Sequence, residues 1–272
     1  MELQSITDSI FFGTKFNSCN STFIVTKDGA VVVDTPMAPT QAKAWKAEIE
    51  KHAPVRYVII DEAHTDHYCG SCYLGGTVIG NSDTVEKLKQ AKAEDLIKEM
   101  AFMAPDEPAP DSSFYFRPPE IVLKGEATLR MGDRTIEILR VPGHTPQQLA
   151  VYIPEDRVLI ASDNVNLGSP VFIDALPYEW LTSLDRLDTL DVDVVLPGHG
   201  EATDKSAFSR MKEKIQMWLD VIGRSVAAGA SMEETFNRVR ASREFSQAPE
   251  EGPAAGFFRM NVESLYKALL EK

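Results

Sequence analysis

Val55-Arg56-Tyr57-Val58-Ile59-Ile60 runs without a break into Asp61-Glu62-Ala63-His64-Thr65-Asp66-His67. A short apolar strand thus delivers its chain directly into a cluster of metal-binding side chains. The carboxyl end of a buried strand is where α/β architectures usually place their sites. Two more histidines lie in Pro142-Gly143-His144-Thr145 and Pro197-Gly198-His199-Gly200, the second directly after the apolar run Val192-Asp193-Val194-Val195-Leu196. A further carboxylate, Asp163, follows Val158-Leu159-Ile160-Ala161. Imidazoles and carboxylates are the common nitrogen and oxygen donors for divalent transition metals. Four of the five histidines fall in these segments. With Glu62, Asp66 and Asp163 they supply enough candidate ligands for two ions that share a bridge. His52 has no motif around it and is assigned to the surface.

The rest of the chain reads as alternating sheet and helix. Residues 21–26 and 30–34 are β-branched runs separated by Lys27-Asp28-Gly29, a strong hairpin signal. Residues 40–52 have amphipathic helical spacing, and a second helix is predicted over 82–100. Five prolines between residues 104 and 119 exclude regular helix or central strand there and predict a long loop or lid. Two more hairpins are predicted, over 126–141 about Gly132-Asp133 and over 148–161 about Pro154-Glu155-Asp156. A helix near 178–190 leads to the strand ending at His199. Both halves therefore run hairpin, helix, strand, ligand loop, a pattern met by two packed sheets flanked by helices. The tail reads as helices over 208–227, 232–240 and 261–270, with a loop over 246–256. The apolar positions Val262, Leu265, Tyr266 and Leu269 leave two roles open for the last helix, packing on its own domain or on a second copy in a homo-oligomer.

Composition narrows the partners. A formal charge of −13 over 272 residues argues against a nucleic-acid surface, which needs a basic patch to displace counterions. There is no apolar run long enough for a transmembrane helix, so no membrane partner is expected. The N-terminus lacks the basic start and apolar run of a secretory signal, and the three cysteines give no disulfide framework. A cytoplasmic protein acting on a small molecule is the expectation. Cys69 and Cys72 form a Cys-x-x-Cys pair beside Gly70 and read as structural residues in a turn entering a helix.

The order and context of these motifs resemble the metallo-β-lactamase superfamily, with its His-x-His-x-Asp-His segment after a strand. The resemblance runs over about residues 10–205, through Val33-Asp34-Thr35, the Glu62–His67 segment, Gly143-His144-Thr145 and Gly198-His199-Gly200. It implies an α/β fold, an αββα four-layer sandwich of two mixed sheets flanked by helices. It also implies a single domain over 1–272 with a helical extension from about 204. Carried over position by position, it assigns Glu62, His64 and His144 to one metal and Asp66, His67 and His199 to the other, with Asp163 bridging. Glu62 departs from the family, which usually has histidine there. A harder, charged ligand weakens the presumption of zinc and raises iron or manganese.

The implied chemistry is hydrolysis of an ester, thioester or lactone by a metal-bound hydroxide, with lactams and phosphodiesters less favoured. Asp66 is the candidate for orienting the water and handling its proton. In antibiotic-degrading members a lysine three residues after the bridge often grips the substrate. Asn166 stands there in this chain, which argues against β-lactamase activity. Asn166 and Phe172 are the candidate substrate contacts, with Tyr178 and Trp180 nearby in sequence. The alternative is a non-haem diiron oxygenase, kept in play by Glu62. Glu62→His is expected to preserve the fold and shift metal preference from iron toward zinc, checked by competitive metal-binding titrations; unchanged relative affinities would place Glu62 outside the ligand set.

Overall fold

A computed structural model describes residues 1–270. Strands β1 (Glu2–Ser5), β2 (Ile10–Thr14), β3 (Ser21–Thr26) and β4 (Gly29–Val33) lead to helix α1 (Pro39–Ile49) and strand β5 (Val55–Ile60). The short helices α2 (Thr65–Tyr68) and α3 (Ser71–Leu74), strand β6 (Thr77–Asn81), and helices α4 (Ser82–Gln90) and α5 (Ala93–Met103) follow. Next come strands β7 (Ile121–Leu123), β8 (Ala127–Met131), β9 (Arg134–Arg140), β10 (Leu149–Ile153) and β11 (Val158–Asn166). Helix α6 (Pro177–Asp188), strand β12 (Val194–His199), and helices α7 (Ser206–Ala227), α8 (Met232–Ala241) and α9 (Gly252–Leu270) end the described chain.

The chain divides into two compact units. The first comprises residues 1–141, 147–167 and 191–205, and the second comprises 142–146, 168–190 and everything from 206. The helical part is thus wider than a tail starting near 204. It also takes in α6 and the His144 turn, because Trp180 of α6 and Trp218 of α7 both stack edge-on against Phe172.

The first unit is an α/β structure with two mixed sheets, ordered β1-β2-β3-β4-β5-β6-β7 and β12-β11-β10-β9-β8. Strands β4 to β7 run parallel, as do β11 and β12, while the remaining neighbours are antiparallel hairpins and meanders. Side chains alternate faces along a strand, so a strand buried on both sides reads as an unbroken apolar run. In β4, Val31 and Val33 join the core between the sheets, whereas Ala30 and Val32 face the helices. In β5, Ile59 faces the inner core while Val58 and Ile60 face outward against Trp45 and Tyr68. The three predicted hairpins form as expected, with Gly29 and Gly132 at positive φ in their turns.

Three boundaries differ from the sequence expectation. The helix predicted over 82–100 is two helices, because Ala91 and Lys92 are both extended. Strand β11 continues past Ala161 to Asn166, carrying Asp163 into the sheet. Helix α9 begins at Gly252, inside the expected loop.

The second unit is built from amphipathic helices. Phe208, Met211, Ile215, Trp218, Leu219 and Ile222 recur at helical spacing along α7 and are all buried. A capping box between Ser231 and Glu234 starts α8, with the Glu234 carboxylate accepting from the Ser231 N–H at 2.8 Å. Among the described residues, no helix is long and apolar enough to cross a membrane.

Gly70 joins α2 to α3 just behind the histidine motif. A Cβ there would lie 2.1 Å from the Pro36 carbonyl oxygen and 2.9 Å from the Ala42 Cβ. Gly70→Ala is therefore expected to destabilise the protein by about 2 kcal/mol or more through overpacking, read from the midpoint of urea unfolding.

Candidate metal centre

The candidate ligands of the first unit sit at or close to the ends of strands. Glu62 follows β5 and is fully buried, and His64 precedes α2, whose first turn carries Asp66 and His67. Asp163 lies in β11, and His199 is the last residue of the parallel neighbour β12. The β11–β12 register is broken at Ser162, which has a φ of 47°. That kink lets Asp163 approach Gly198 so closely that a Cβ on Gly198 would stand 1.8 Å from Asp163 Oδ1. Glycine is required there by space, whatever its torsions.

The side chains converge on His67. Its Nδ1 is 2.8 Å from Asp34 Oδ2, and a carboxylate only accepts, so Nδ1 carries the hydrogen. Its Nε2 is buried and has no hydrogen-bond partner among the described residues. Around it stand Glu62 Oε1 at 3.6 Å, Asp66 Oδ2 at 3.7 Å and Asp163 Oδ1 at 3.8 Å. His199 Nε2 lies 3.4 Å from both Asp66 Oδ2 and Asp163 Oδ2. Glu62 Oε2 lies 2.7 Å from His64 Nδ1.

An imidazole lone pair facing three carboxylate oxygens is repulsive unless a positive charge lies between them. A proton or a metal ion can supply it. The donor set fits a divalent cation, and the group Asp66, His67 and His199 brings one ligand atom from each residue to within 4.8 Å of the others.

The electrostatics without a cation follow the same logic. Burial works against charge on His67, but Glu62, Asp66 and Asp34 outweigh it and hold the imidazole well above its ordinary value. Burial likewise lowers His199, yet Asp163 and Asp66 raise it to about 10. Burial also opposes charge on His64, and Glu62 overcomes it. For Asp66 burial pushes upward, and His67 and His199 more than reverse it.

These donors lie within the stretch that a family description covers. The pattern of the Metallo-beta-lactamase superfamily matches residues 14–199. The chain belongs to that superfamily. It is 22% identical over 233 residues to a linear primary-alkylsulfatase of a Pseudomonas species, covering 72% of this chain and 43% of the relative. It is 33% identical over 91 residues to an acyl-coenzyme A thioesterase of Gallus gallus, covering 30% of this chain and 32% of that protein. Among solved structures, the sec-alkylsulfatase Pisa1 from Pseudomonas sp. superposes with a TM-score of 0.74 at 15% identity, over 98% of this chain and 50% of its own. The chain thus spans about half, or less, of the length of these relatives. The metallo-β-lactamase fold is the α/β class expected from the sequence, and the chain carries buried His/Asp/Glu groups of the kind that hold a metal ion.

Of the superfamily ligands, His144 lies in the second unit. It is buried, with Nδ1 3.0 Å from the Val171 carbonyl oxygen and its ring 5.5 Å from that of Trp180. Its turn is fixed by Leu176 N–H to the Gly143 carbonyl at 2.8 Å and by Ser183 Oγ to the Pro142 carbonyl at 2.7 Å. Phe172, expected at the substrate, is instead a core residue of this unit, 1% exposed between Trp180 and Trp218. Asn166 closes β11 in register with His199.

Sequence reasoning missed the support beneath His67. Asp34 has a φ of 56°, an uncommon torsion for a residue other than glycine. It also accepts from the Asp61 N–H at 3.1 Å and from Ser162 Oγ at 3.2 Å. Ser162 Oγ lies 3.0 Å from Asp61 Oδ1 as well. Burial and the Asp34 charge raise Asp61 well above the usual carboxylate range. Cys19 groups with Asp34 and His67. Burial raises its thiol, however, and the S–H donates to the Asp66 carbonyl at 3.1 Å, which makes it a strut. Asn20 Nδ2 straps the His199 turn by donating to the Pro197 and Gly200 carbonyls at 2.9 and 2.8 Å. The only advance signal was polarity inside apolar runs, as at Asp34, Asp61 and Ser162. Cys69 closes α2 and Cys72 lies in α3, both as free thiols.

The raised value of His199 fixes a pH window for the metal-stripped protein. Its contribution to stability is fully present below 6.5 and is lost as pH rises toward about 10. The melting temperature of stripped protein should therefore fall across that interval. Metal uptake near neutral pH should release protons into a weakly buffered solution. A flat melting profile and no proton release would contradict this electrostatic picture.

Proposed function

We propose that this protein is a metal-dependent hydrolase that holds two divalent ions and cleaves an ester-type bond, a carboxylic ester, thioester or lactone, in a small-molecule substrate. The observation that carries the reading is the convergence on His67 Nε2 of Glu62, Asp66 and Asp163, from two sheets and two sequence segments, at 3.6–3.8 Å. By the superfamily's pattern, Glu62, His64 and His144 would hold one ion and Asp66, His67 and His199 the other, with Asp163 as the candidate to serve both. When bound, such a pair polarises the scissile bond and makes water acidic enough to attack at neutral pH.

The chain's own residues orient and move protons. Asp66, kept ionised by His67 and His199, takes the proton of the attacking water on its carboxylate and passes it to the leaving group. Asp34 keeps the hydrogen of His67 on Nδ1, so Nε2 stays a donor to metal. No side-chain nucleophile is required. The alkylsulfatase and the acyl-coenzyme A thioesterase among the relatives support an ester or thioester over a lactam, and Asn166 in place of lysine agrees.

One observation keeps a second reading open. Glu62 is fully buried beside His64, which gives the site three carboxylates and favours iron or manganese over zinc. Iron in protein purified without added metal, with oxygen consumed on substrate addition, would favour an oxygenase. Hydrolysis is tested with a panel of thioesters, lactones and alkyl esters under anaerobic conditions in oxygen-isotope-labelled water. Label in the product without oxygen uptake is the expected result. Asp163→Ala is expected to bring turnover to background and to leave at most one ion bound by elemental analysis. Full turnover in that variant would exclude Asp163 as the bridge.

A further inference from the structure

We propose that Asn261, on the C-terminal helix α9, is a positioning residue for the metal ligand His144. The inference rests on the metal reading above and adds a residue outside every ligand motif.

A backbone carbonyl faces Nδ1 of His144 and sets its tautomer. The Val171 carbonyl, 3.0 Å from Nδ1, can only accept, so Nδ1 carries the hydrogen and Nε2 keeps the lone pair a metal needs. Val171 lies in the irregular stretch between β11 and α6, where no ladder of hydrogen bonds fixes a carbonyl's direction. Asn261 supplies that constraint. Its Nδ2 donates to the Pro170 carbonyl at 2.8 Å, and its Oδ1 accepts from the Phe172 N–H at 2.6 Å.

One planar amide thus grips the backbone on both sides of Val171. A carboxamide carries a donor and an acceptor side by side, and both are used here. Asn261 is only 3% exposed, so water does not compete for these bonds.

Helix α9 does not rely on this contact to stay in place. Phe258 lies 5.6 Å from the Trp218 ring, Val262 and Leu265 are fully buried, and Tyr266 donates to the Ala230 carbonyl at 2.9 Å. Removing the amide therefore loosens the Pro170–Phe172 backbone while leaving the helix docked. The consequence falls on the ion that His144 helps to hold.

The test is zinc titration of metal-stripped full-length protein against a chromophoric chelator, for wild type, Asn261→Ala, His144→Ala and the double variant. Asn261→Ala is expected to melt as a folded protein, to bind one ion as tightly as wild type, and to bind the other about 10- to 100-fold more weakly. On the His144→Ala background it should weaken zinc binding no further, a result that a general loss of structure would not give. If Asn261→Ala does not fold, Asn261→Asp, which keeps the acceptor for Phe172 and loses the donor to Pro170, carries the same comparison. Unchanged affinity for both ions, equal weakening of both, or effects that add to those of His144→Ala would overturn the proposal. A wild type that takes up no zinc, iron or manganese would refute the metal reading itself, and the proposal with it.

Discussion

The hydrogen bond from His67 Nδ1 to Asp34 Oδ2 is the constraint on which the centre depends. It fixes the tautomer, aims Nε2 at Glu62, Asp66 and Asp163, and places a negative charge directly behind the ring. Asp34 also joins the two sheets, since it ends the β4 strand of one and binds Ser162 in β11 of the other. Burying carboxylates without compensation is expensive, and a buried pair that loses one partner is left with an unsatisfied charge. The centre answers this cost with the Ser162 hydroxyl, which reaches both Asp34 and Asp61, and with the imidazoles themselves.

Two backbone distortions follow from the same demand. Asp34 and Ser162 adopt left-handed torsions that ordinary residues avoid, at a cost of order 1–3 kcal/mol each. At Ser162 the kink breaks the parallel register with β12 and presents Asp163 at Gly198. Regular sheet geometry would point alternate residues to opposite faces and could not bring Ser162 to Asp34 and Asp163 to His199 from one uninterrupted strand. The apolar strands on both sides, buried between sheet and helices, resist relaxation of this arrangement.

The second unit applies the same device to a different ligand. His67 is steadied by a carboxylate and His144 by a carbonyl, and each choice puts the ring hydrogen on Nδ1. The difference bears on charge. A carbonyl holds its ring without placing a full negative charge behind it, whereas the Asp34 carboxylate does both.

The sequence by itself determined the class of the fold and the identity of the donors. Unbroken apolar runs marked strands buried on both faces, Asp-Gly turns marked hairpins, and histidines and carboxylates at the strand ends marked the centre. These are local signals, carried by residues adjacent in the chain. Only the tertiary structure decided what lies under the ligands, because Asp34, Asp61, Ser162 and Cys19 act through partners dozens of positions away. It also moved Phe172 from the expected substrate wall into a helical core, where edge-to-face contacts with two tryptophans settle its place. Periodicity names which residues are buried, but it cannot name what they are buried against. That choice is made by long-range packing, and it leaves no pattern in the neighbouring sequence.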